Sequence, residues 1–237
     1  SQKVDDISWK EPILGRKAVR ALTDTINGKP SGYVMSLDAT SSGLQIMAVI
    51  SGCKETAKLV NCIDPGKRYD IYTEVADLMN KHTSRPIPRV IAKEITMTHF
   101  YNSKAKPKSL LSKTELSVFY EAINGLFPGA DAVMSAINAC WNSQKDHHTW
   151  VMPDGHTVYV PVDESTNYMY SDPEFGEVLF TYTNQTSSDN FRSLCPNVIH
   201  SIDGYIAREM VRRCDFQLSH VHDCFVFNPN HLQKVSK

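Results

Sequence analysis

Two aspartates stand beside short apolar runs far apart in the chain: Asp38 after Tyr33-Val34-Met35-Ser36-Leu37, and Asp223 inside Val221-His222-Asp223-Cys224-Phe225. Singly, each suits a cap or a turn as well as any chemical task. On neighbouring strands such a pair could hold two Mg²⁺ ions about 3.5–4 Å apart for in-line phosphoryl chemistry. A second pattern follows Pro86 and Pro88, where Arg89, Lys93, Met97 and Tyr101 recur every four residues. On a helix each such step turns about 400°, so the row drifts only slowly around one face. Arg89 and Lys93 then lie roughly 6 Å apart along the axis, with Tyr101 about 12 Å beyond. That length suits a nucleoside triphosphate, with cations at the phosphates and an aromatic ring at the sugar and base. An ordinary solvated helix face would carry the same residues, so the row alone does not choose.

These side chains need an α+β frame. Apolar spacing predicts a helix over Lys17–Ile26, stopped by Asn27-Gly28-Lys29-Pro30, then a strand ending at Asp38 and a Thr40–Gly43 turn. Leu44–Ser51, Tyr69–Lys81, Arg89–Tyr101, Thr114–Ile123 and Ala130–Trp141 read as helices. The Asp154-Gly155 pair between β-rich flanks predicts a hairpin over Trp150–Val160 with a two-residue turn. Tyr182–Asn190 reads as a loop. Cys195-Pro196-Asn197 opens a helix to about Arg213, and Ser219–Val226 reads as strand, turn and strand around His222-Asp223.

Composition excludes several classes. With 237 residues, 41% of them hydrophobic, the chain can bury a sizeable core, and no run of about 18 apolar residues exists to span a bilayer. No membrane partner is expected, and the working compartment is expected to be cytoplasmic. The six cysteines show no C-x-x-C spacing, which points to reduced, mostly core thiols rather than a zinc site or a disulfide framework. A formal charge of −1 argues against non-specific coating of nucleic acid, although Lys104, Lys106, Lys108 and Lys113 form one local cluster and Arg16, Lys17 and Arg20 another.

Asp38-Ala39-Thr40-Ser41-Ser42-Gly43-Leu44-Gln45 resembles motif A of the single-subunit, phage-type (phage and mitochondrial) DNA-dependent RNA polymerases. Arg89-x₃-Lys93-x₇-Tyr101, with Met97-Thr98 inside it, is similar to their motif B, and His222-Asp223-Cys224 to their motif C. Pro196-Asn197-Val198-Ile199-His200-Ser201-Ile202-Asp203-Gly204 resembles the family's P-N-x-x-H-S-x-D-G helix, and the Trp150–Val160 hairpin has a counterpart before it. The resemblance runs in order from about Tyr33 to Phe227.

It implies a right-hand polymerase fold: a palm whose small antiparallel sheet carries both aspartates, with helical fingers. Residues 1–82 would be the first part of the palm, 83–149 the fingers and 150–237 the second part of the palm. Asp38 and Asp223 would bind two Mg²⁺ ions, with the Ala39 carbonyl as a further ligand. Arg89 and Lys93 would hold the triphosphate, Lys93 protonating the departing pyrophosphate. Tyr101 would stand at the sugar and template base, His200 would contact the incoming ribonucleotide, and His222 would shape the turn presenting Asp223. The implied activity is DNA-templated RNA synthesis from NTPs, with template and RNA product as partners, in an infected bacterial cell. DNA polymerases of related architecture carry a glutamate five positions after the motif A aspartate, where Gly43 here leaves space for a 2′-hydroxyl. A DNA-synthesising or primase-like relative and a catalytically inactive nucleic-acid-binding subunit are the competing readings. The family's Tyr-Gly pair stands here as Tyr101-Asn102. With 37 residues before Asp38 and 14 after Asp223, promoter-reading and thumb elements are expected elsewhere: the sequence is a fragment or lacks segments, or, the favoured reading, a second polymerase chain supplies them as in split heterodimeric phage enzymes.

Overall fold

A computed structural model describes residues 11–64, 66–184 and 191–235. It is α+β, and the chain divides into two compact units, one of residues up to Ala39 with those from Ala207 onward, the other Thr40–Ile206.

The first unit begins with helix α1 (Pro12–Ile26), which starts a turn earlier than its apolar spacing predicts because Pro12 occupies the first position. There a missing N–H is no loss and the fixed φ is already helical. The helix stops at the expected place, where Gly28 takes a φ of +67°. Strand β1 (Met35–Asp38) then joins an antiparallel sheet with β6 (Leu218–Val221) and β7 (Cys224–Phe227), in the order β1-β7-β6. Phe227 is fully buried and fixes which face of β7 turns inward.

The second unit is mainly helical: α2 (Ser42–Ser51), α3 (Lys54–Leu59), α4 (Ile71–Asn80), α5 (Arg89–Phe100), α6 (Ala105–Leu110), α7 (Lys113–Leu126) and α8 (Pro128–Ala139). Ile71, Val75 and Met79 of α4, Ile95 of α5, Phe119 and Ile123 of α7 and Phe127 close the core with almost no exposure. Helix α7 opens with a capping box between Ser112 and Glu115. Arg85 forks onto the same Glu115, with Nε donating to Oε1 at 2.9 Å and Nη2 to Oε2 at 3.1 Å. That guanidinium, with the Ser112 backbone N–H next, pulls the Glu115 carboxyl down to about 2.

Two hairpins follow, β2 (His147–Val151) with β3 (Thr157–Pro161), and β4 (Glu164–Asp172) with β5 (Gly176–Asn184). The expected two-residue Asp-Gly turn of the first is corrected. Met152 still pairs with His156, and Gly155 N–H reaches the Met152 carbonyl at 2.9 Å, leaving a three-residue Pro153-Asp154-Gly155 connection. A two-residue Asp154-Gly155 turn would need residue 153 to donate the N–H that closes the strand pair, which proline lacks, whereas its φ near −65° suits the first central residue of a type I turn. The second hairpin corrects the loop assignment at its start, because Tyr182–Asn184 is strand; Gln185–Asn190 lies outside the described residues. Helix α9 (Leu194–Arg213) then runs from the second unit into the first. All six thiols are free, but only Cys195 is buried and Cys62 and Cys140 are exposed, so the expectation of mostly core cysteines is corrected. Short helix α10 (Leu232–Val235) ends the described chain. Among the described residues no helix is long and apolar enough to cross a membrane.

Candidate active site

In the first unit the two aspartates meet through strand register. Strands β1 and β7 pair with Asp38 opposite Cys224, and β6 and β7 pair with Val221 opposite that same Cys224. The two-residue turn His222-Asp223 therefore crowns the sheet at the end where Asp38 finishes β1. His222 takes a φ of +54°, and its carbonyl oxygen lies 3.3 Å from His220 Nδ1. A left-handed residue opens such a tight turn, at a steric cost that only glycine escapes. Asp38 is exposed and Asp223 half-buried, and among the described residues neither has an ion-pair partner. Two carboxylates presented at one end of a sheet favour binding a positive charge. The donors are hard oxygens, joined by the Ala39 carbonyl one residue further along the chain. Among the described residues no group of three or more His, Cys, Asp or Glu side chains forms a metal cage. A two-carboxylate set fits Mg²⁺, which keeps several waters and takes phosphate oxygens to complete its shell.

In the second unit α5 presents the predicted row. Ala92, Ile95, Thr96, His99 and Phe100 are buried on its inner side, while Arg89, Lys93, Met97 and Tyr101 are exposed. Tyr101 is the C-cap residue of α5. Its ring lies 5.1 Å from that of His200, tilted by 42°. Gly43 belongs to the same cluster: a Cβ there would meet Ile199 Cγ2 at 3.5 Å and the Tyr101 hydroxyl at 4.0 Å. Residues from α2, α5 and α9 thus enclose a small space whose width depends on position 43 having no side chain. The hairpin β2–β3 supports His200's helix, since Trp150 Nε1 donates to Ser201 Oγ at 3.1 Å.

Several members of this site carry no obvious mark in the sequence. Tyr72 lies beneath both cations, with the Arg89 guanidinium 5.5 Å and Lys93 Nζ 5.7 Å from its ring centre. Burial raises the Tyr72 phenol above its ordinary value, opposed by a hydrogen bond with Ser41. Asp70 caps α4 by accepting the Tyr72 N–H and also receives Arg89 Nε at 2.6 Å. Burial opposes ionisation of Asp70, but its bonds from Arg89 and the backbone outweigh that and leave its pKa lowered. Asn61, at a φ of +60°, donates to the Tyr69 backbone carbonyl, accepts the Tyr69 backbone N–H and donates to Thr40 Oγ1 at 3.2 Å, tying the motif A turn to the start of α4. An Asp directly before an apolar periodic run is a readable N-cap signal. Its second partner, nineteen residues away, is not.

No curated protein matches the chain significantly. The profile of the DNA-dependent RNA polymerase family matches residues 23–237, which takes in every motif described above, and the chain therefore belongs to that family, of the phage and mitochondrial type.

Proposed function

We propose that this chain carries the palm and fingers of a DNA-templated RNA polymerase and transfers nucleotides from NTPs to an RNA 3′-hydroxyl by a two-metal mechanism. The observation that carries the reading is the β1–β7 register, which brings Asp38 and Asp223 to one end of one sheet. Residues 1–82 and 150–237 are the two parts of the palm in this proposal, and 83–149 the fingers. Asp38 and Asp223, with the Ala39 carbonyl, would hold two Mg²⁺ ions, whose chemistry when bound is to acidify the attacking hydroxyl and neutralise the leaving pyrophosphate.

Arg89 and Lys93 bind the triphosphate, steadied by the Tyr72 ring beneath both and, for Arg89, by the Asp70 carboxylate. Lys93 supplies the proton to the pyrophosphate as it departs. Tyr101 offers a stacking and hydroxyl surface to the sugar, and His200 a hydrogen-bonding group for the 2′-hydroxyl that distinguishes ribose from deoxyribose. Gly43 leaves that hydroxyl room. Phosphoryl transfer asks chiefly for positioning and charge stabilisation, so no protein nucleophile is needed and Cys224 is assigned none. A second polymerase chain, expected from the resemblance to split phage enzymes, belongs to the same proposal and is tested by co-purification of the tagged chain with mass spectrometry.

The direct test is extension of an RNA primer on a DNA template with Mg²⁺ and each NTP or dNTP in turn. Growth of RNA directed by the template base is the expected result. Failure to extend with any nucleotide, or extension with dNTPs alone, contradicts the proposal.

A further inference from the structure

We propose that Asn102 is a positioning residue for ribose selection, holding Tyr101 against His200 through a buried carboxamide; this rests on the reading that those two rings face the sugar. Asn102 follows the last residue of the α5 cap and takes a φ of +63°. Its N–H reaches the His99 carbonyl at 2.8 Å, and the next N–H, of Ser103, reaches Thr98 at 2.9 Å, the paired bonds of a Schellman ending. Glycine satisfies that conformation without strain, so backbone geometry alone gives no reason for a side chain here.

The side chain is buried and bonded on both ends. Asn102 Nδ2 donates to Asn138 Oδ1 at 3.0 Å and to the Arg192 carbonyl at 3.4 Å, and Asn138 Nδ2 returns a 3.4 Å bond to Asn102 Oδ1. Asn102 is only 4% exposed, so these bonds replace water rather than compete with it. Asn138 lies on α8, and Arg192 lies in the short 3₁₀ turn Phe191–Ser193 that leads directly into α9. One amide therefore ties the end of the helix bearing Tyr101 to the start of the helix bearing His200, with α8 as the third anchor. The 5.1 Å approach of the two rings is the distance this tie holds. Loosening it widens the space around position 43 without removing any group that touches substrate.

The test compares Asn102→Gly, which keeps the cap conformation and deletes the amide with both its bonds, with Asn138→Ala, which removes the α8 partner but leaves the bond to the Arg192 carbonyl and the cap intact. Circular dichroism and thermal melting first establish that each is folded. The ratio of kcat/KM for GTP over dGTP on one primed template is expected to fall about three- to tenfold in each variant. The double variant is expected to do no worse than Asn102→Gly alone, because that change already deletes both bonds of the amide. Affinity for the primed template should stay unchanged. A wild-type ratio in both folded variants overturns the proposal and leaves Asn102 as a helix cap only. If the wild-type chain extends RNA with no nucleotide, the functional reading fails instead. The tie is then judged by ¹³C-tyrosine resonances, assigned with Tyr101→Phe, and a Tyr101 signal unmoved in both variants overturns it.

Discussion

Asp38 ends β1 and Asp223 lies in the turn between β6 and β7 at the same end of the sheet, without an ion-pair partner among the described residues, so the charge of each is available to hold metal. Asp38→Asn and Asp223→Asn preserve shape while removing that charge. Each is expected to cost several kcal/mol of transition-state stabilisation, at least about a hundredfold in kcat, with the fold and most template binding retained. Single-turnover extension alongside circular dichroism checks this, and near wild-type rates in either folded variant would show that the metal assignment is wrong. The proposed sugar pocket makes a separate prediction, since a Cβ on Gly43 meets only ordinary contacts at 3.5 and 4.0 Å. Gly43→Ala should therefore be tolerated, whereas Gly43→Glu fills the space and lowers the GTP over dGTP ratio. Tyr101→Phe should relax discrimination while keeping the ring. His200→Ala should weaken NTP use by about 0.5–1.5 kcal/mol, roughly three- to tenfold, with little effect on dNTP use. An unchanged kcat/KM ratio in Gly43→Glu, Tyr101→Phe and His200→Ala alike would remove these residues from the pocket.

Helix α5 owes its placement to an inner face that includes a histidine. His99 is buried among Phe100, Phe119 and Tyr120, and 3.9 Å from Asp131 Oδ1. Burial lowers its pKa to about 4, against a smaller opposing pull from Asp131 and with help from Lys104. A histidine that is neutral when folded takes up a proton more readily when unfolded. Stability should thus be full above the ordinary value of 6.5 and fall as pH drops from there to about 4, by a few kcal/mol at most. The Arg85–Glu115 pair gives a second, lower window. Its depressed carboxylate contributes stability above 4.5 that is lost as pH falls towards about 2. Thermal melting from pH 7 to pH 3 checks both. His99→Phe should flatten the upper slope and Arg85→Met the lower one, and a slope that survives its own variant contradicts the assignment.

For the molecule as a whole, Mg²⁺ should act as a ligand of the folded state. A cation bound by Asp38 and Asp223 adds about 1 kcal/mol at roughly five times its dissociation constant. The wild-type Tm should rise on titration with MgCl₂ at constant ionic strength, and the rise should vanish in Asp223→Asn. Chelation should abolish extension while leaving the circular dichroism spectrum intact, because the two carboxylates lie at the exposed end of a sheet whose strands pair through their own backbone. An equal Tm rise in wild type and Asp223→Asn would place the ion elsewhere.

Local patterns in the chain were enough to establish the exposed row on α5 and the stop at Asn27-Gly28, since helix faces and turns depend on near neighbours, while the order of the motifs was read from the family resemblance. Arg89, Lys93, Met97 and Tyr101 emerge exposed because Ala92, Ile95 and His99 between them are apolar or packed. The β4–β5 hairpin escaped reading for the converse reason. Tyr168, Met169 and Tyr170 on one strand, and Leu179 and Phe180 on the other, are large on both faces and exposed, so no alternation marks a strand. Register was decided only in three dimensions, since a one-residue slip of β7 would carry every side chain to the opposite face. So were the Tyr72 ring under two cations, the Asp70 bridge to Arg89 and the Asn102 carboxamide spanning 36 residues to Asn138 and 90 to Arg192. Each of these contacts is set by how whole helices pack, and the chain around any one residue holds no trace of which distant partner that packing will bring to it.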